Sequence, residues 1–177
     1  MKKPVIILIV GTSGSGKTHM SHYMKKYFNI PYVVSYTTRP MRSGEIDGVD
    51  HHFIDGAHMP TEGEMLAYTN FGGYQYFTLR SQVEKQPVTS YVVDEDGVRF
   101  FLERYEDQYT ILAVYVHANE NTRRSRGISQ DRIDRDANRE PLPLQMYDAV
   151  INNDDELEVF NNTINHFFFD LRDKGII

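Results

Sequence analysis

Eight residues near the start constrain this chain more than any others. Gly11-Thr12-Ser13-Gly14-Ser15-Gly16-Lys17-Thr18 fits the pattern G-x-x-x-x-G-K-[ST] in full. It follows a continuous β-branched run, Val5-Ile6-Ile7-Leu8-Ile9-Val10, which reads as a strand buried on both faces. After it, Met20, Tyr23, Met24, Tyr27 and Phe28 fall at helical spacing, the apolar face of an amphipathic helix. Strand, glycine loop and helix in that order form a phosphate cradle. Glycines let backbone N–H groups approach phosphate oxygens with no Cβ in the way. The helix adds the positive end of its dipole. In this motif Lys17 reaches the β- and γ-phosphates of a nucleoside triphosphate, and the Thr18 hydroxyl ligates Mg²⁺.

Similar alternation continues along the chain. Strands are expected at Pro31–Tyr36, Val88–Val93, Thr110–Val116 and Ala149–Asn152, and helices at Val98–Tyr105, Asn119–Glu140 and Leu157–Leu171. Short segments at His52–Ile54, Tyr68–Phe71 and Tyr74–Leu79 suggest a small antiparallel insert. The fold class is therefore α/β, with a parallel core sheet. A length of 177 residues suits one domain.

Composition removes other classes. There are no cysteines, so disulfides, thiolate zinc sites and cysteine nucleophiles are excluded. A net charge of −6 argues against a general nucleic-acid binder. The start, Met1 to Val10, superficially resembles a signal peptide, but its apolar run is short and leads into the glycine loop. No stretch approaches the ~20 apolar residues of a membrane span. A cytoplasmic protein is expected, as a monomer or a homodimer.

A phosphate loop fixes the nucleotide but not the reaction. Asp94 closes a predicted strand, where ligands of parallel sheets gather, and could face the magnesium ion or a second substrate. Asp94-Glu95-Asp96-Gly97 also fits the D-x-x-G element of GTPases, but no Asn-Lys-x-Asp base-reading run accompanies it. Arg39 and Arg42 lie on a polar, glycine-flanked loop and offer two guanidinium forks for a second phosphate. Six arginines, at positions 123, 124, 126, 132, 135 and 139, are interleaved with Asp131, Asp134 and Asp136. They read either as a salt-bridged exposed helix or as a mobile segment closing on the reacting phosphate. His51, His52, His58 and His117 read as structural or solvated rather than metal-binding.

The run Ser35 to Phe53, with its Thr37-Thr38-Arg39-Pro40-Met41-Arg42-Ser43-Gly44-Glu45 core, resembles the acceptor loop of the guanylate kinase family. Gly73-Tyr74-Gln75-Tyr76-Phe77-Thr78, Asp94, Arg124–Gly127 and Ile151-Asn152-Asn153-Asp154 resemble later elements of that family, in the same order. The resemblance implies a three-layer α/β/α P-loop NTPase fold. Its core would be residues 1–35, 87–119 and 143–177, with a small mixed β/α acceptor-binding insert at about 36–86 and a helical lid at about 120–142. It implies transfer of the ATP γ-phosphate, with Mg²⁺, to a nucleoside monophosphate, first of all GMP or dGMP. The alternatives are a kinase for another monophosphate or a ribose phosphate, and a non-catalytic interaction domain.

It also implies site roles. Gly11 to Thr18 hold the ATP phosphates, and Asn153 lies near adenine. Ser35, Arg39, Arg42, Glu45, His51 and Tyr76 serve the acceptor phosphate, and Thr78 and Asp94 its base. Lys17, Arg126, Arg132 and Arg135 carry the transfer. Thr18 ligates Mg²⁺, with Asp94 a second candidate. Three departures stand out, one of them Phe77 in place of a glycine of the family's tyrosine turn. His51 replaces a tyrosine, and Ala67 stands where the family places a guanine-reading glutamate, with Glu64 the nearest carboxylate at what would be one helical turn.

Overall fold

The structure is a computed structural model and describes residues 2–71 and 73–177, so the Met1 end of the leader-like start lies outside it. In chain order its elements are β1 (Val5–Val10), α1 (Lys17–Phe28), β2 (Tyr36–Thr37), β3 (His52–Phe53), β4 (Met65–Phe71) and β5 (Tyr74–Leu79). They continue with β6 (Val88–Val92), α2 (Glu95–Tyr105), β7 (Thr110–His117), α3 (Glu120–Ser125), α4 (Gln130–Ala137), β8 (Ala149–Asn152) and α5 (Leu157–Asp173). The chain divides into two compact units, Met1–Tyr32 with Pro87–Ile177, and Val33–Gln86.

The larger unit is built on a parallel sheet in the order β6-β1-β7-β8. All six β1 residues are buried, because helices cover both faces. Val5, Ile7 and Ile9 join Met20 and Met24 of α1 and Phe160, Ile164 and Phe168 of α5 in one core. On the opposite face Leu8 is in register with Tyr91, whose ring meets Phe101 of α2 at 5.9 Å. The result is the expected three-layer α/β/α arrangement.

The smaller unit holds a mixed sheet in the order β3-β2-β5-β4. β2 pairs parallel with β3 and antiparallel with β5, so the sheet is not the all-antiparallel insert the sequence suggested. The expected strand Pro31–Tyr36 is also corrected. Tyr32 makes one isolated bridge to Ser90, whose N–H donates to the Pro31 carbonyl, while pairing in the smaller unit begins only at Tyr36. An apolar run that serves two sheets in turn reads in sequence as one strand.

The expected helix Asn119–Glu140 is likewise two helices. Gly127 takes φ +80°, a conformation that ends α3, and the chain restarts at α4 after Ser129. Asn119 caps α3 through its side chain, which accepts from the Thr122 N–H.

Candidate active site

The glycine loop leaves the buried end of β1 and runs into α1. Gly16 takes φ +110° as the residue before the helix, and a Cβ there would lie 2.3 Å from the Asn153 amide. Gly11 takes φ +152°, and its Cβ would meet the Val116 carbonyl at 2.3 Å. Only glycine fits at either position. The Lys17 ammonium donates to the carbonyls of Gly11 and Thr12, both at 2.8 Å. Burial, reinforced by the Arg139 charge, pulls its pKa down to about 8. Thr18, in the first helical turn, is exposed.

The segment carrying α3 and α4 crosses this loop and supplies most of its polar contacts. Asp136 is buried and accepts from the Ser13 N–H at 2.6 Å and the Ser13 hydroxyl at 3.2 Å. Three arginines also surround it, the buried Arg123 guanidinium at 3.3 Å, Arg139 at 3.8 Å and Arg135 at 3.9 Å. Arg135 donates to Ser13 Oγ at 3.2 Å, and Arg132 lies close enough to act on the Lys17 charge. Arg126 was expected beside them over the γ-phosphate, but it is fastened elsewhere. It donates to the carbonyls of Gly14 at 3.0 Å and Asn153 at 2.8 Å. Asn153 is buried and donates to the Ser15 carbonyl at 2.6 Å. Gly14, Gly16, His19, Arg126, Asn153, Leu157 and Phe160 line a cleft here.

Asp94 and Glu95 exchange the prominence the sequence gave them. Asp94 is exposed and caps α2, its carboxylate accepting from the Gly97 N–H at 2.9 Å. Glu95 is the buried carboxylate, only 7 % exposed, and it is paired with Arg139. Sequence reasoning named Arg139 among the six arginines and Glu95 beside Asp94 but gave neither a role. A signal existed for Glu95, which stands three residues before the buried Val98 and six before the buried Phe101, on the same helix stripe. Nothing local sets Arg139 apart from the other five arginines of its segment.

In the smaller unit the acceptor-loop residues form a connected cluster. Arg39, 6 % exposed, is held by Glu45 through a bidentate pair at 3.0 and 2.8 Å, and by the Pro40 carbonyl. Glu45 also accepts from the Arg42 N–H at 2.7 Å. The Arg39 contacts, then the Arg42 N–H, bring the Glu45 pKa down to about 2, and the same pairing raises that of Arg39. Glu45 therefore orders the two arginines, and Arg39 spends much of its fork on it. His51 Nδ1 lies 2.8 Å from Ser35 Oγ, with the Tyr76 and Phe53 rings edge-on at 5.8 Å. Burial and the Arg39 charge lower its pKa, so its ring is neutral at pH 7.

The base-side residues form a second group. Thr78 is fully buried, and its hydroxyl has no partner among the described residues. Across the strand pair stands Ala67. Glu64 does not lie a helical turn away. The chain from Met65 is a strand, and the Glu64 carboxylate is spent on Thr61, whose N–H and hydroxyl donate to it at 2.9 and 2.7 Å.

A glycine cradle between a central parallel strand and a helix defines the P-loop NTPase class of α/β proteins. Comparison with known proteins narrows this. A family model described as guanylate kinase matches residues 1–169. A guanylate kinase of Geobacter metallireducens is 32 % identical over 168 residues, covering 86 % of this chain and 82 % of that protein. One from Sphingopyxis alaskensis is 39 % identical over 88 residues, 48 % of this chain and 40 % of its own length. The crystal structure of guanylate kinase from Anaplasma phagocytophilum is similar with a TM-score of 0.66 at 22 % identity, covering 98 % of this chain and 87 % of that one. The chain belongs to the guanylate kinase family. That family is one of nucleoside monophosphate kinases, and the chain is an enzyme of that class.

Proposed function

We propose that this chain works in the cytoplasm and transfers the γ-phosphoryl group of ATP to a nucleoside monophosphate, with GMP and dGMP the acceptors its family membership favours. The observation that carries this reading is the Lys17 ammonium, pinned by two loop carbonyls inside a cradle that only glycines can form. There it meets the β- and γ-phosphates without having to be reoriented. The loop Gly11 to Thr18 holds the ATP phosphates, and Arg132 and Arg135 face the γ-phosphate. Arg126 and Asn153 border the nucleoside end of ATP, given their place in the cleft with Phe160. Ser35, Arg39, Arg42, His51 and Tyr76 receive the acceptor phosphate, with Glu45 ordering the arginines. Thr78 of the smaller unit is proposed for its base side, and Asp94 of the larger unit is the other residue the family resemblance names for that role.

The donor chemistry also fits magnesium, which takes oxygen ligands and retains several waters. Among the described residues no group of three or more His, Asp or Glu is arranged to hold an ion. Thr18 would be its main protein ligand, with the nucleotide's phosphates completing the shell and the ion neutralising charge on the β- and γ-oxygens.

One observation favours a second reading of the acceptor. Ala67 faces Thr78 with no carboxylate, and Glu64 is engaged elsewhere, so the donors of a guanine edge lose the acceptor the family supplies. A monophosphate with another base is the alternative substrate. A coupled ADP-release assay over all ribo- and deoxyribonucleoside monophosphates tests both readings. Turnover should fall more than about 100-fold in Lys17→Ala, the scale of removing one transition-state donor. Equal turnover in the two proteins, with matched circular dichroism, rules the kinase reading out.

A further inference from the structure

We propose that Arg139 contacts the transferred phosphoryl group beside Lys17, and that Glu95 is the positioning residue that holds it there; the inference rests on the kinase reading above. The geometry comes first. Arg139 Nε donates to Glu95 Oε2 at 2.7 Å, and Nη2 also contacts that oxygen. Its remaining terminal nitrogen, Nη1, donates to the Gly11 carbonyl at 3.2 Å. Lys17 donates to that same carbonyl at 2.8 Å. Two cations thus share one acceptor atom at the mouth of the loop, with Asp136 close by, its Oδ1 3.8 Å from Arg139 Nη1.

The other five arginines of the segment are placed differently. Arg123 is buried against Asp136, Arg124 is turned outward onto Glu120, and Arg126 is fastened on the Asn153 side. The Arg135 side chain is 56 % exposed, and Arg132 is exposed as well. Arg139 alone is fixed at the lysine's own carbonyl.

Burial gives the second argument. The Glu95 and Arg139 side chains are 10 % and 24 % exposed. A pair so withdrawn from water gains little stability, since desolvation offsets its attraction. Its use lies in orientation. A guanidinium is always charged and has a fixed fork, and Glu95 occupies one side of that fork while leaving further N–H groups on Nη1 and Nη2. In the transfer, an oxygen of the acceptor's phosphate forms a bond to the γ-phosphorus. The bond from that phosphorus to the β–γ bridging oxygen breaks, and ADP departs with the electron pair. Arg139 forms no bond and moves no proton. It stabilises negative charge on the equatorial oxygens, where a donor set in advance costs no reorganisation.

Steady-state kinetics at saturating magnesium–ATP, with the monophosphate that wild type uses best, tests this on four variants. Arg139→Lys keeps the charge and loses the fork, and kcat should fall by about 10- to 100-fold with acceptor KM within about twofold. Glu95→Gln should lower kcat by about tenfold. The double variant Glu95→Gln, Arg139→Lys should be no slower than Arg139→Lys alone, because Glu95 acts only through the arginine. The charge-swapped variant Glu95→Arg, Arg139→Glu should regain thermal stability without regaining kcat. Recovery of kcat in the swap would reduce the pair to a structural clasp and overturn the proposal. So would a kcat within twofold of wild type in Glu95→Gln, which retains a hydrogen-bond acceptor and remains informative should Arg139→Lys not fold. Lys17→Ala separates the two levels. Turnover lost there but kept in Arg139→Lys defeats this inference alone, whereas turnover kept in Lys17→Ala defeats the kinase reading with it.

Discussion

Replacing Asp136 by alanine probes the contact that joins α4 to the glycine loop. The Asp136 side chain is 3 % exposed and meets an Arg123 guanidinium that is itself 10 % exposed. Its two oxygens also take the Ser13 N–H and hydroxyl. In Asp136→Ala, Arg123 is left as a buried charge without its counter-ion, and its Nε already has no hydrogen-bond partner among the described residues. Breaking a buried pair in this way costs about 3–5 kcal/mol. At roughly 2–4 °C per kcal/mol for a protein of this size, the midpoint should drop by roughly 6–20 °C. Asp136→Asn keeps an oxygen for the Ser13 N–H and should lose about half as much. Far-UV circular dichroism during heating is the suitable assay, because α1 to α5 all belong to the larger unit and dominate the helical signal. The double variant with Arg123→Ala should cost less than the sum of the two singles, since it removes the buried charge that Asp136→Ala alone strands. A loss below about 1 kcal/mol in Asp136→Ala, with the double variant additive, would refute the argument that this carboxylate neutralises a buried arginine.

Two further outcomes follow from the smaller unit. The Glu45 carboxylate titrates at about 2 rather than its ordinary 4.5, so it stabilises the fold above about pH 4.5 and that contribution disappears as pH falls toward 2. The effect is at most ~3 kcal/mol, and amide exchange at Thr37 and Phe77 across the β2–β5 pair should show it in wild type but not in Glu45→Gln. Ala67→Glu places a carboxylate directly across from Thr78 and should raise the GMP-to-AMP ratio of kcat/KM by about tenfold or more. Glu64→Ala should leave that ratio unchanged; a collapse there would show that Glu64 leaves Thr61 to read the base.

What could be read in advance followed from local rules. Val5 to Val10 had to be a central strand, and the glycines after it had to form a phosphate loop, because both features rest on neighbouring residues alone. Residues 31–36 misled because an apolar run does not reveal that Tyr32 pairs with one sheet and Tyr36 with another. Position 64 misled because Glu64 reads as one helical turn from Ala67, whereas the chain from Met65 is a strand, in which residues three apart do not share a face. Of the strand-end carboxylates only Asp94 stood out, because the helix cap it makes is a local feature, while the burial of Glu95 depends on an arginine 44 positions away. The Asp136–Ser13 contact spans 123 positions and leaves no local trace at all.

The position of β1 has a consequence for motion. It is bonded along its length to β6 on one side and β7 on the other, and every one of its side chains is buried. Amides in such a strand exchange with solvent only when the larger unit opens as a whole, so the base of the phosphate loop stands on its slowest-opening element. The segment of α3 and α4 meets that loop largely through side-chain and carbonyl contacts, and most of its other residues are exposed. Separating that segment from the loop breaks those contacts, the buried Asp136–Ser13 bonds among them, and leaves the β1 ladders intact. The base of the cradle keeps its shape through such an opening.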